Sequence, residues 1–283
     1  MQFSKYHALG NDYIVMEAAE AAGGLTAEII GRVCARNFGL GSDGILIREP
    51  DPAPGKFHVR FINPDGSEAE KSGNGLRIFS RYLWDQGAVE AEAEFPVQTA
   101  GGQVTCKVSP AGRVVTVDMG RISFHSHDVP VTGPPREVIQ EELEVNGDTL
   151  TFTAANIGNP HCVVLREELS VEETHRLGPL IETETVFPNL TNVQFLQVLD
   201  RENIRIEIWE RGAGYTLASG TSSCAAAAVA RRLDLCESVV AVHMPGGHLR
   251  IEISDDYLVR MTGPVVKVAD GRLSTEVLET PLP

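Results

Sequence analysis

One local pattern occurs twice in this chain, and the repetition limits the possible folds more than any other feature. Ile204 to Trp209 reads as a strand. It gives way to a glycine-loosened loop, and Ser219-Gly220-Thr221-Ser222 then opens an alanine-rich helix. Earlier, Phe57 to Ile62 leads through Asn63-Pro64-Asp65-Gly66 to Ser72-Gly73-Asn74-Gly75 and an apolar helix through Ile78, Phe79, Tyr82 and Leu83. A serine before a helix accepts a hydrogen bond from a first-turn N–H. The remaining unpaired amides and the aligned peptide dipoles make that end attractive to an anion. A single strand, turn and capped helix is ordinary α/β packing; two matched copies are not.

Ser72-Gly73 and Ser219-Gly220 lie 147 residues apart, and Asn63 and Glu210 share that spacing. Gly10-Asn11 and Gly158-Asn159 are separated by 148, Gly101-Gly102 and Gly246-Gly247 by 145, and Gly120 and Gly263 by 143. With 27 glycines some matches arise by chance. Conserved order and a slowly drifting offset instead point to a duplicated domain. The spacing predicts two similar domains, residues 1–120 with 265–283 returning to them, and 121–264, related by a pseudo-twofold axis. On that arrangement the two helix starts face each other across a cleft and hold a small carboxylate between them. One side chain on each face of the adjacent carbon then suits inversion, since one group removes a proton and the other returns one.

The totals agree. A chain of 283 residues, 42% of them hydrophobic, has material for two cores. A net charge of −15 argues against nucleic acid and anionic membranes as partners, so an acidic ligand must be captured by local donors. Five cysteines without a C-x-x-C pair fit a reducing, cytoplasmic setting and disfavour disulfides and zinc. The first residues lack a charged start followed by an apolar stretch, and no apolar run nears the roughly 20 residues of a membrane helix.

Along the chain, Phe3 and Tyr13 begin two strands around Gly10-Asn11-Asp12, which read alone is a turn. Thr26 caps a helix through Cys34. Ile45 to Ile47 is a short buried strand, and Glu94 to Gln98, Val104 to Val108 and Val114 to Met119 are strands that close the first half. Phe124 to Pro135 is the crossover, with His125 and His127 read as solvated because no third metal ligand is near. The second half follows with strands at Leu150 to Ala155 and Cys162 to Leu165, a short helix Val171 to Leu177, and a strand Val193 to Leu199. Strands at Val239 to Met244, Leu249 to Ile253 and Leu258 to Met261 end it. His161 is either a polar residue at a strand entrance or, by its match to the Gly10-Asn11-Asp12 region, a cleft residue.

Phe3-Ser4-Lys5 with His7 and Leu9-Gly10-Asn11-Asp12, Asn63-Pro64-Asp65-Gly66-Ser67 with Gly73-Asn74-Gly75, Gly158-Asn159-Pro160-His161, and Glu210-Arg211-Gly212-Ala213-Gly214 with Gly220-Thr221 together resemble diaminopimelate epimerase. The resemblance runs from Met1 to about Gly271. It implies an α+β fold of two similar domains related by a pseudo-twofold axis, each a mixed or antiparallel sheet wrapped around a central helix, with the active-site cleft between them. It implies inversion at the α-carbon of LL-diaminopimelate to the meso form in the lysine and cell-wall precursor pathway. No pyridoxal phosphate, other cofactor or metal is implied, and the partner is a small amino-acid substrate, with a homodimer left open.

Carried over by position, Ser72 and Ser219 stand where the family has its acid and base, and His161 and Glu210 are polar helpers. Gly73, Asn74, Gly220 and Thr221 hold the carboxylate at the reacting centre. Asn11, Asn63, Asn159, Asn192 and Arg211 fix the rest of the diamino diacid. The chain departs from the family at the two positions where cysteine is expected, and Tyr215 stands where an acidic residue follows Gly-Ala-Gly. A thiol near pKa 8.5 is lowered to a working thiolate by a helix N-terminus; an alcohol starts several units higher. Three readings follow: an epimerase, a divergent enzyme on another amino acid with His161, Glu210 or Tyr215 moving protons, and a non-catalytic amino-acid-binding homologue.

Overall fold

The computed structural model describes residues 1–22 and 24–279. The last four residues of the predicted 265–283 return lie outside the described residues. The chain divides into two compact units, one made of Met1–Val117 with the segment from Gly263 onward, the other of Asp118–Thr262.

In the first unit, β1 (Gln2–Ala8), β2 (Asn11–Glu17), α1 (Ala18–Ala21), α2 (Ala27–Cys34), β3 (Ile45–Ala53), β4 (Lys56–Ile62), β5 (Glu68–Ala69), α3 (Gly73–Asp85), β6 (Glu94–Thr99), β7 (Gly102–Val108) and β8 (Val114–Arg121) follow in chain order. The second unit runs β9 (Glu141–Val145), β10 (Asp148–Asn156), β11 (Pro160–Leu165), α4 (Val171–Glu182), β12 (Asn192–Val198), β13 (Asn203–Glu210), β14 (Gly214–Thr216), α5 (Gly220–Arg232), β15 (Val239–Met244), β16 (Gly247–Ile253) and β17 (Leu258–Pro264). β18 (Val266–Arg272) and α6 (Thr275–Glu279) then complete the first unit.

The strands of the two units follow the same order. In the first it is β18, β1, β2, β3, β4, β6, β7, β8, parallel only at β2/β3 and β4/β6. In the second it is β9, β10, β11, β12, β13, β15, β16, β17, parallel only at β11/β12 and β13/β15. Parallel neighbours need a crossover, and each crossover here carries a helix: α2 and α3 in one unit, α4 and α5 in the other. The edge strand beside β1 is the late strand β18, whereas β10 takes its edge from β9, which directly precedes it.

Each sheet has one crossover helix on either face. In the second unit α5 touches β10, β11, β12, β13, β15 and β16, and its residues from Gly220 to Ala230 are all buried. A helix enclosed on every side must be slender, which explains its run of alanine and serine. On the other face, α4 sets Leu177 and Ile181 against Val193 and Phe195. That packing carries α4 past the predicted stop at Leu177 and through Pro179 to Glu182. Gly178 is required there, because a Cβ would lie 2.6 Å from Trp209 Cγ. In the first unit α2 covers Ile14, Met16, Ile45 and Ile47, while α3 lies over β1, β2 and β7.

Candidate functional site

In the first unit Ser72 has extended backbone angles (φ −134°, ψ 118°), and its Oγ accepts the Gly75 N–H at 3.0 Å. Gly75 lets the first turn of α3 settle on Phe61, since a Cβ there would stand 2.6 Å from Phe61 Cε1. The Tyr13 hydroxyl comes to 3.5 Å of Ser72 Oγ. Tyr13 was not singled out from the sequence; a tyrosine in a strand that begins Asn-Asp-Tyr-Ile-Val gives no separate signal.

Behind this helix start runs a chain of side-chain amides. Asn74 Nδ2 donates to Asn11 Oδ1 at 3.0 Å, and Asn74 Oδ1 accepts from Arg77 Nη2 at 2.7 Å. Asn11 Nδ2 donates to Asp43 Oδ2 at 2.8 Å, and Arg36 joins Asp43 to Asp12, which Lys5 also contacts at 2.8 Å. The structure therefore brings Asn11, Ser72 and Asn74 together, with Gly73 buried between the capping Ser72 and Asn74. Asn63 follows β4, and its Nδ2 donates to Ser67 Oγ at 3.0 Å within the turn that also contains Asp65.

In the second unit Ser219 (φ −140°, ψ 127°) caps α5, its Oγ accepting the Ser222 N–H at 3.4 Å. Gly220 and Thr221 form the first turn, where amides have no carbonyl four residues back within the helix. Thr221 Oγ1 lies 3.5 Å from Ser219 Oγ. Strand alternation sorts the surrounding residues by face. Val193 and Phe195 point to α4, so Gln194 points to α5, where its Nε2 donates to Ser222 Oγ at 3.0 Å. His161 pairs with Asn192 across β11/β12, and Cys162 turns to the α4 side.

His161 is fully buried, with Nε2 2.8 Å from Asn159 Oδ1. Burial pushes its imidazole down to about 3, opposed by the neighbouring Gln194 amide and reinforced by the Arg211 charge. Among the described residues, His161 Nδ1 and Gln194 Oε1 are buried polar atoms without a hydrogen-bond partner. The imidazole is therefore neutral near pH 7 and acts as a hydrogen-bonding group. Gln194 was missed in the sequence, although a glutamine inside Val-Gln-Phe-Leu is the one polar residue of an apolar run.

Glu210 and Arg211 ride on the β13–β14 turn. The Asn192 amide ties this turn down, its Oδ1 accepting the Arg211 N–H at 3.0 Å while its Nδ2 donates to Pro160 O at 2.8 Å. Glu182, at the end of α4, accepts the Gly212 N–H and the Trp209 indole N–H, each at 2.7 Å. The Arg211 guanidinium is exposed and donates to Asn189 O at 3.1 Å.

Tyr215 belongs to the opposite face. It pairs with Trp209, stacks on His175 with ring centroids 4.8 Å apart, and donates to Glu207 Oε2 at 2.7 Å. Within this unit it is turned to α4, so the structure removes it as a proton carrier beside Ser219. The five cysteines are all free and buried. Burial raises the thiols of Cys34 and Cys236 to about 11 and pushes Cys162 higher still. No helix among the described residues is long and apolar enough to cross a membrane.

Known proteins place this arrangement. The sequence model of diaminopimelate epimerase matches residues 3–125 and 153–268. The chain is 56% identical over 277 residues to diaminopimelate epimerase 2 of Nostoc sp., covering 98% of this chain and 97% of that one. It is 41% identical to the diaminopimelate epimerase of Moorella thermoacetica, over 96% and 98% of the two chains. Among solved structures, a probable proline racemase from Agrobacterium radiobacter superposes with a TM-score of 0.71 at 16% identity, over 96% of this chain and 92% of that one. At that identity the superposition speaks for the fold alone. The near-complete match in sequence goes further: this chain belongs to the diaminopimelate epimerase family.

Proposed function

We propose that the protein is a diaminopimelate epimerase that inverts the α-carbon of LL-diaminopimelate without a cofactor. The observation that carries this reading is the repetition of one helix start, hydroxyl-capped and opening on small buried residues, in both units. The name of a relative 56% identical over nearly the whole chain supports it. In this reading the amides of Gly73, Asn74, Gly220 and Thr221 receive the carboxylate beside the reacting carbon. Asn11, Asn63, Asn159, Asn192 and Arg211 orient the remainder of the substrate, and His161 and Glu210 take its polar groups nearest the carbon. Ser72 and Ser219 carry the protons that leave and return.

The cap atoms themselves favour a second reading. An alcohol is a far weaker acid than a thiol and so forms its basic anion far less readily, and a helix dipole does not bridge the difference. A chain that keeps the carboxylate-binding helix starts but lacks thiols at both caps binds the diamino diacid without inverting it. Incubation with LL-diaminopimelate in deuterated water separates the two. Loss of the α-proton signal with appearance of the meso form supports the epimerase; binding with an unchanged α-proton signal supports the binding protein. If Ser72→Cys with Ser219→Cys also fails to exchange the proton, diaminopimelate is not the substrate.

A further inference from the structure

We propose that Tyr13 is the proton partner of Ser72, a role that rests on the epimerase reading above. Two observations converge on it. First, its hydroxyl is 3.5 Å from Ser72 Oγ, on the face of β2 that looks toward α3. Second, the duplication places Tyr13 at the site that His161 fills in the other unit. Asn11 and Asn159 are 148 residues apart, and so are Tyr13 and His161.

The strand register repeats the equivalence. His161 pairs with Asn192 across the parallel β11/β12 ladder, while Ile14 pairs with Ile45 across β2/β3, so that Tyr13 lies beside Gly44. Gly44 is what makes a large ring fit there: a Cβ on it would stand 2.8 Å from Tyr13 Cε1 and 2.7 Å from Ile62 O. Where the second unit combines a compact imidazole with an asparagine, the first combines a phenol with no side chain. The exchange directs a phenol at the capping serine, and phenols as a class release a proton far more readily than alcohols do.

The step balances as a relay. Tyr13 rests as a phenol and first releases its proton to solvent; Ser72 Oγ then takes the substrate α-proton as its own hydroxyl proton passes to the phenolate so formed. The electron pair of the broken C–H bond stays on the substrate carbon, Tyr13 becomes neutral, and no free alkoxide forms. Reversal returns a proton to carbon along the same path. Tyr13 thus acts through Ser72 and does not touch the substrate.

The test uses Tyr13→Phe, which keeps the ring against Gly44 and removes only the hydroxyl. In the full-length protein it is expected to slow α-proton exchange of diaminopimelate in deuterated water at least tenfold while leaving the dissociation constant for diaminopimelate within about twofold. A second readout needs no turnover. In Ser72→Cys, Tyr13 donates to the thiolate, so adding Tyr13→Phe is expected to slow alkylation of the introduced thiol by iodoacetamide about fivefold. The five native cysteines are buried and leave that signal clear. Equal alkylation with and without the hydroxyl overturns the proposal whatever the substrate is. Slower alkylation in a protein that never exchanges the diaminopimelate proton keeps the Tyr13–Ser72 pairing and rejects the epimerase reading. Unchanged exchange in Tyr13→Phe rejects the relay itself.

Discussion

The Glu182 carboxylate holds the indole N–H of Trp209 at 2.7 Å with one oxygen and the backbone N–H of Gly212 at 2.7 Å with the other. These two donors bracket Glu210 and Arg211, so an acid on α4, far along the chain, fixes the turn on which both are carried. Glu182→Ala is expected to cost about 2–3 kcal/mol in urea unfolding, since hydrogen bonds to a charged group are lost at a site 9% exposed. It is also expected to weaken diaminopimelate binding at least tenfold by calorimetry, with Glu182→Gln intermediate because one acceptor oxygen survives.

His161 makes stability depend on pH. Its folded pKa, lowered by burial from 6.5 to about 3, lies below that of the unfolded chain. Between those values the unfolded state binds the extra proton, so this contribution is present above about pH 6.5 and is lost as the pH falls toward 3. The slope reaches about 1.4 kcal/mol per pH unit. Urea unfolding from about pH 7 to about pH 4 is expected to show a shallower loss in His161→Gln than in the wild type.

The caps combine stability and chemistry. Ser72→Ala and Ser219→Ala each leave a first-turn N–H without its side-chain acceptor and are expected to cost about 1 kcal/mol. Each is also expected to abolish exchange of the substrate α-proton. Chemical denaturation reads the first effect and NMR in deuterated water the second.

Tyr215 separates fold from activity. Its hydroxyl binds Glu207, which is 1% exposed, and desolvation together with that hydrogen bond pushes the phenol up to about 12. Tyr215→Phe is expected to lower stability by about 1–3 kcal/mol, because Glu207 loses a donor. Diaminopimelate binding and exchange are expected to stay within twofold, as measured alongside the wild type.

Gly44→Ala adds a methyl group that meets both the Tyr13 ring and the Ile62 carbonyl. Overpacking of this kind costs about 1–3 kcal/mol, and because the ring must move, Tyr13 leaves Ser72. A fall in melting temperature with slower α-proton exchange is the expected pair of results.

The linear order of residues was enough to reveal the repeated helix start, because Ser-Gly caps and their glycine turns depend on local backbone geometry. Thr26, Ser72 and Ser219 each cap the helix that follows, as local chemistry predicts. Elements held by distant partners were illegible. β14 is a three-residue strand defined only by its pairing with β13, and β18 is a polar stretch made into a strand by β1. α4 outlasts Pro179 because Leu177 and Ile181 share one core.

The site divides in the same way. Residue types at matched spacings pointed to Ser72, Ser219, His161 and their neighbours. Which groups stand beside them was settled by strand faces and helix packing: Tyr13 at Ser72, Gln194 between His161 and Ser222, Glu182 beneath the Arg211 turn, and Tyr215 turned to Glu207. A sequence records a side chain's chemistry and the direction it alternates along its own strand. Only the packed sheet and its two helix-bearing faces decide what that side chain meets.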